Sequence, residues 1–327
     1  MNTPQVAIIG AGNIGSRHLQ ALSKINTSIE INVLDLNEES LIISKQRFEE
    51  VYDQRNGFVT KVNYINDVKL IPEQLDICII ATNSAIRRSV LEELISVTKI
   101  KYLILEKFLF QTIKDYDQVG KIIKSHNIKA WVNCSRRVWP LYISLSEKFK
   151  DITHVDFTVT ASNLGIGCNG IHFIDLFEFL TRKEIISIES ENLEIVQSKR
   201  KGYIDFTGTI IGKTSYGDKI SITSYKDGDT PLLIQINSNH IRIMIDEQKE
   251  YALISEKSND WVWEKVDFDY QFQSNLTQIV VQQLLEKSTC NLPKYDESSR
   301  MHLNILDTFF GYMNEMEDEE VEICLIT

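Results

Sequence analysis

The stretch Gln5-Val-Ala-Ile-Ile-Gly-Ala-Gly-Asn-Ile-Gly15 decides how the first half of this chain must fold. An apolar run able to form a buried strand leads directly into Gly10-x-Gly12-x-x-Gly15, and Asn13 to Lys24 reads as the helix that follows. In a strand–turn–helix of this kind each glycine has a mechanical task. Gly10 makes the tight turn, Gly12 lets backbone approach a pyrophosphate, and Gly15 lets helix and strand pack. The helix N-terminus offers free N–H groups and the positive end of its dipole to the same anion. A glycine turn joining any strand to any helix would be spelled the same way, so the context matters. A second apolar run, Ile29 to Leu34, ends in Asp35, about 20 residues on, where a carboxylate meets adenosine ribose hydroxyls. A carboxylate there also repels a 2′-phosphate. The expected cofactor is therefore NAD, with NADP less favoured, held by Gly10, Gly12, Asn13, Ile14 and Asp35.

Outward from this start, strands and helices alternate, which predicts a parallel sheet with crossover helices. Strands are expected at 5–9, 30–34, 59–62, 76–81 and 102–105, with helices at 13–24, 38–50, 85–97 and 113–125. From about His154 polar and apolar residues alternate instead, at 154–162, 202–214, 219–225, 232–237, 241–246 and 250–255. Gly217-Asp218 and Asp227-Gly228 punctuate these segments, as in an antiparallel sheet with one buried face. Helices are expected to interrupt it at about 170–182, 272–287 and 296–314. The fold class is thus α/β: a doubly wound Rossmann domain over 1–125, then an α+β domain with a mainly antiparallel open sheet over 126–327. A strand at 129–133 leads across the boundary towards Arg136 and Arg137.

At 327 residues there is chain enough for two cores, and 43% apolar with 25% charged residues is ordinary for a globular protein. The net charge of −11 argues against nucleic acid or an anionic membrane as a general partner. Cys78, Cys134, Cys168, Cys290 and Cys324 form no C-x-x-C pair and no metal spacing, so no metal site is expected. Scattered thiols suit a reducing compartment. No apolar run reaches about 18 residues and the first strand starts too early for a signal peptide, so a cytoplasmic protein is expected. The acidic run Glu315 to Glu320 reads as a solvated loop.

Four features, taken in order, resemble the glucose-fructose oxidoreductase / inositol dehydrogenase / MocA (Gfo/Idh/MocA) family. They are Gly10-x-Gly12-Asn-Ile-Gly15-x-x-His18, Ile79-Ile-Ala-Thr82, Leu105-Glu106-Lys107 and Gly170-Ile-His172-Phe-Ile-Asp175. The late Leu292-Pro293 and the apolar segment Ile323 to Thr327 also fit. The resemblance implies a cytoplasmic oxidoreductase acting on CH–OH groups of a small sugar-like substrate. It puts Thr82, Asn83 and Glu106 near the nicotinamide half of the cofactor, gives Asp175 a substrate contact, and implies a homodimer or homotetramer. Three positions depart from the family pattern: Phe108 stands where it has Pro, Cys168 where many members have Asp, and Arg87 where His is frequent.

The chemistry assigns candidate roles. Taking a hydride from a carbinol carbon requires removal of the hydroxyl proton, and histidine is a base suited to neutral pH. With a helix starting near Asn169, His172 and Asp175 share a face three residues apart, and Asn169 joins them. Asp175 either orients the imidazole or accepts a substrate hydroxyl, and a structural histidine or a first-turn acid would look the same. Lys107 ends a strand on the ligand-binding edge of the sheet, where an ammonium can stabilise a developing oxyanion. A strand-end lysine reaching solvent is the plain alternative. Arg136 and Arg137, beside Trp139-Pro140, suit either a substrate phosphate or carboxylate or a surface ion pair. His18 reads as packing, Cys168 as a small filler, and Trp261 with Trp263 as one face of a strand used in core or interface packing. The substrate-binding set is Lys107, Arg136, Asn169, His172 and Asp175. Two other activities fit these residues: an enzyme that recycles its NAD for epimerisation or elimination, and a non-catalytic NAD-sensing regulator such as the family also contains.

Overall fold

In the first half, strands that read as unbroken apolar runs lie in a sheet covered on both faces, as a parallel sheet with crossover helices demands. The computed structural model describes residues 3–53, 57–150, 152–316 and 320–327. In chain order come β1 (Gln5–Ile9), α1 (Asn13–Leu22), β2 (Ile29–Leu34), α2 (Glu38–Glu49), β3 (Val59–Ile65), β4 (Gln74–Ile80), α3 (Arg87–Val97), β5 (Lys99–Leu105), α4 (Ile113–Ser125) and β6 (Lys129–Val132). All six strands are parallel, ordered β3-β2-β1-β4-β5-β6. The order reverses between β1 and β4, the point at which open α/β sheets bind ligands beyond their carboxyl ends. Val6, Ala7, Ile8, Ile77, Ile79 and Leu103 are wholly buried there.

The chain continues through α5 (Pro140–Lys148), β7 (Asp156–Ser162), α6 (Ile166–Thr181), β8 (Ile185–Gln197), β9 (Ile204–Thr214), β10 (Lys219–Tyr225), β11 (Leu233–Asn237), β12 (Ile241–Asp246), β13 (Tyr251–Glu256), β14 (Trp263–Asp267), α7 (Thr277–Lys287) and α8 (Tyr295–Met316). The eight strands form one sheet, β14-β13-β12-β11-β7-β10-β9-β8, antiparallel except for the β7–β10 pair. Helix α6 packs on β9 and β10 and is apolar around most of its circumference, with Ile166, Ile171, Phe173, Ile174, Leu176 and Phe177 all buried. The α/β class, the doubly wound sheet and the mainly antiparallel second sheet are as the sequence predicts.

Several elements differ from expectation. Helix α6 starts at Ile166, four residues before the expected Gly170, because Gly165 enters it with φ +72° and Asp205 caps it from a distant strand. Strand β8 is absent from the sequence reading, and β14 enters it only through the strand expected at Trp261 and Trp263; both are edge strands, and all five residues of β14 are exposed. Trp261 is not in a strand: it has φ +61°, and the two tryptophans are 40% and 47% exposed, which rules out core packing. Residues 1–110, 114–138 and 271–298 form one compact unit, and 111–113, 139–270 and 299–327 a second. The expected division near residue 125 is thus replaced by one in which α7 returns to the first unit. There α1 packs against α7, which buries Val280, Val281 and Leu284. In the second unit the C-terminal segment docks by Ile204 N–H to Leu325 O (2.8 Å) and Cys324 N–H to Gln111 O (3.0 Å). Positions 317–319 of the acidic run lie outside the described residues. No helix among the described residues is long and apolar enough to cross a membrane.

Candidate functional site

The glycine turn is built as its spelling requires. Gly10 has φ +94°, a region that L side chains rarely adopt, and a methyl group on Gly15 would lie 1.7 Å from Gly10 O. Gly12 is different. Its φ is −64°, it is exposed, and a methyl there would meet nothing within 4 Å. The fold itself does not demand glycine at that position, and the space over it is open to a group approaching from outside. Helix α1 begins at this residue with no side-chain cap and no acidic residue in its first turn, leaving its first N–H groups for an anion. Asn13 and Ile14 are exposed beside it. Arg47 reaches over from α2, donating to Ser16 Oγ (2.7 Å) and Asn13 Oδ1 (3.4 Å).

Asp35, half-buried at the end of β2, accepts the Ala11 N–H on Oδ2 (2.6 Å) and the Asn37 N–H on Oδ1 (2.9 Å). Each carboxylate oxygen keeps a further lone pair for a ribose hydroxyl. An open cradle at Gly12, uncapped helix amides and an oriented carboxylate together fit a dinucleotide.

Beyond β4, Thr82 Oγ1 is buried with no hydrogen-bond partner among the described residues, and Asn83 Oδ1 accepts the N–H groups of Ala85 (3.1 Å) and Ile86 (3.3 Å) ahead of α3. The ladder runs on past the strand ends through Ala81 N–H to Ile9 O (2.8 Å) and Glu106 N–H to Ile80 O (3.1 Å). These bonds bring the ends of β1, β4 and β5 level. Lys107 is half-buried, and its peptide bond to Phe108 is cis.

Glu106 is the centre of a buried polar network. His18 Nε2 lies 2.9 Å from Glu106 Oε1, and His18 Nδ1 lies 2.8 Å from Thr277 Oγ1. Asn133 donates to Glu106 Oε1 (2.5 Å) and to Gln273 Oε1 (3.0 Å). Burial alone would raise the Glu106 carboxyl, but the hydrogen bonds from His18 and Asn133, with the His18 and Lys107 charges, hold it below the ordinary carboxylate value. His18 is therefore a hydrogen-bonded partner of Glu106 rather than mere packing. The pair is 88 positions apart in sequence, with no local signal to connect them.

In the second unit, Asp205 Oδ1 accepts the N–H groups of Gly167 (2.8 Å) and Cys168 (3.3 Å), and Asn169 Nδ2 donates to Leu164 O (2.6 Å). His172 and Asp175 therefore lie well inside α6. His172 is half-buried with its Nδ1 shielded from solvent, and Asp175 is 0% exposed. The alternative of a first-turn acid for Asp175 is thereby excluded. Arg137 is buried and ion-paired with Glu297 at 2.6 Å within the first unit, while Arg136 is half-buried. Only Arg136 remains as a candidate anion ligand of the two. All five cysteines are free thiols, with Cys168 half-buried.

Residues 5–134 match the family model described as "Oxidoreductase family, NAD-binding Rossmann fold". The first domain thus matches the model of the Gfo/Idh/MocA family. A comparison with curated proteins gave no match. Among solved structures, UDP-N-acetylglucosamine 3-dehydrogenase from Acidithiobacillus ferrooxidans superposes with a TM-score of 0.71 at 15% identity, covering 94% of this chain and 97% of its own. An oxidoreductase from Agrobacterium radiobacter, solved with NAD+, L-tartaric acid and magnesium, gives 0.73 at 14% identity and covers 98% of each chain. A super-repressor mutant of Gal80p from Saccharomyces cerevisiae gives 0.73 at 14% identity, covering 96% of this chain and 97% of its own. At such identities the likeness is one of fold. The fold is shared with a UDP-N-acetylglucosamine 3-dehydrogenase and with Gal80p alike.

Proposed function

We propose that this chain is an NAD-dependent oxidoreductase acting on a hydroxyl-bearing carbon of a sugar, polyol or nucleotide-linked sugar. The observation that carries the reading is the open space over Gly12 at an uncapped helix start, level with the strand end that bears Lys107. When bound, NAD supplies the hydride acceptor. The residues of the chain do the rest. Gly10, Gly12, Asn13 and Ile14 hold the pyrophosphate, Asp35 the adenosine ribose, and Thr82, Asn83 and Glu106 support the nicotinamide half.

Lys107 donates to the reacting oxygen and stabilises its negative charge, and His172 takes or returns the hydroxyl proton. Complete burial of Asp175 favours a role in orienting the His172 imidazole over direct substrate contact. Asn169 and Arg136 contribute to substrate binding, and Asp35 supports preference for NAD over NADP.

The test begins with mass spectrometry of small molecules that the purified chain retains, followed by turnover of those molecules with NAD. Lys107→Ala and His172→Ala are each expected to lower kcat by at least about a hundredfold while NAD affinity stays within a few-fold. Normal turnover by both variants would overturn the role assignments. Absence of any oxidation, together with capture of one protein partner in an NAD-dependent manner, would favour a regulator, the reading that Phe108 in place of proline and Cys168 in place of aspartate support. Turnover without a change in reduced-nicotinamide absorbance would favour an enzyme that recycles its cofactor.

A further inference from the structure

We infer that Arg87 is the positioning residue of the nicotinamide side of this site: one buried guanidinium locks the loop after β4 to the segment that presents Lys107. The inference rests on the nucleotide-binding reading above. Arg87 is the first residue of α3 and is only 2% exposed. Its Nη2 donates to Thr82 O (2.5 Å), and its Nη1 donates to Leu109 O (2.7 Å) and to Phe108 O. These carbonyls stand beyond the last ladder bonds of β4 and β5, where the backbone has left the sheet.

A guanidinium suits the task because its donors are fixed in a planar fork and can bridge acceptors on separate segments. A lysine concentrates its donors on one atom and cannot span them. The positions matter as much as the number. Phe108 and Leu109 follow Lys107 directly, and both are wholly buried, so the backbone that aims the Lys107 side chain is fixed from beneath. Thr82 lies in the loop assigned to the nicotinamide ribose. The bonds to Thr82 O, Phe108 O and Leu109 O all fall at the ends of β4 and β5, on the side given to the nicotinamide, whereas Asp35 and the α1 amides serve the other half of the dinucleotide. Arg87 is therefore expected to act chiefly on the nicotinamide end of the ligand.

That asymmetry supplies the test. ADP-ribose carries the pyrophosphate and the adenosine half without nicotinamide, whereas NADH carries both. Arg87→Met and Arg87→Lys are compared with the unmodified chain by calorimetric titration of each ligand and by the nicotinamide fluorescence of bound NADH. Thermal unfolding confirms that the variants fold. Loss of the clamp is expected to weaken NADH about tenfold and to abolish the fluorescence change on binding, with ADP-ribose within about twofold. A general loss of stability would weaken both ligands alike.

Equal weakening of the two ligands, or unchanged NADH affinity and fluorescence, overturns the inference. So does failure of both variants to fold, which would make Arg87 purely structural. If the unmodified chain binds neither ligand, the nucleotide-binding reading itself fails, a result separate from any behaviour of the variants.

Discussion

Gly12→Ala separates what the fold needs from what a ligand needs. The added methyl meets no protein atom within 4 Å, and φ −64° is ordinary for alanine. Two small terms oppose each other. Alanine is a poorer helix N-cap than glycine by up to about 1 kcal/mol, and it stabilises by about 0.4–1 kcal/mol through the lower entropy of the unfolded chain. The net change is within about 1 kcal/mol, or roughly 2–4 °C in Tm for a domain of this size. The same methyl occupies the space through which a pyrophosphate reaches the α1 amides. Losing one or two charge-assisted hydrogen bonds costs about 1.5–3 kcal/mol each, so NADH affinity should fall by at least about tenfold.

Gly15→Ala is the counter-case. Its methyl would lie 1.7 Å from Gly10 O, a collision with backbone that cannot relax without moving α1 off β1, so that variant should lose the fold. Thermal unfolding and calorimetric titration with NADH, run on both variants, decide the matter. An alanine at position 12 that binds NADH as tightly as the unmodified chain would refute the cradle. So would one that melts as early as the alanine at position 15.

The remaining predictions follow from charge and burial. Asp35→Ser should shift the ratio of NADPH to NADH affinity towards NADPH by at least about tenfold, since it removes a charge that repels a 2′-phosphate; an unchanged ratio would exclude Asp35 from that role. For Asp218, burial would raise the carboxyl, but Lys183, the Val155 N–H and Thr214 together hold it below the ordinary value, and Glu106 is held low as well. Both groups bind fewer protons folded than unfolded, so the stability they supply is present above the unfolded value near pH 4 and is lost as pH falls below it. A Tm that falls steeply below about pH 4 and flattens in Asp218→Asn is expected, and a parallel curve in the variant would contradict it. Burial pushes the Cys290 and Cys324 thiols up to about 12 and raises Cys78 further, so half-buried Cys168 should be the first thiol of the native chain to react with a disulfide reagent. Peptide mapping that finds Cys290 or Cys324 labelled first would refute this.

The parts of the fold legible in the sequence are those whose burial is one-dimensional. β1, β4 and β5 are covered on both faces, so each is an apolar run, and the glycine turn between β1 and α1 is spelled by local backbone need. β8 carries little signal because an edge strand has neighbours on one side only; β14, Trp263-Glu-Lys-Val-Asp267, is marked by its tryptophan alone and shows no burial alternation at all. α5 had a signal that went unread, a proline at its first turn with Leu141 and Leu145 on one face. The site divides in the same way. Gly10, Gly12, Gly15 and Asp35 are fixed by local geometry and were legible. His18 with Glu106, Asp205 with the start of α6, and Arg87 with Phe108 and Leu109 are long-range pairs, and no spacing along the chain encodes them.

The His18–Glu106 contact also explains why the glycine turn and Lys107 behave as one device. α1 follows Gly12 with its first amides uncapped, and His18, under two turns later, reaches the carboxylate that immediately precedes Lys107. Asn133, past the end of β6, and Thr277 in α7 with Gln273 just ahead of it close the network from two further directions. A buried carboxylate held ionised is expensive unless fully satisfied, and a neutral amide would fill the same space at lower cost. What the amide could not supply is a fixed negative charge beside the Lys107 ammonium, which itself helps to keep Glu106 ionised. The network thus ties α1 to the strand end that carries the lysine. A rigid link of this kind is the preorganisation that stabilising a developing oxyanion requires.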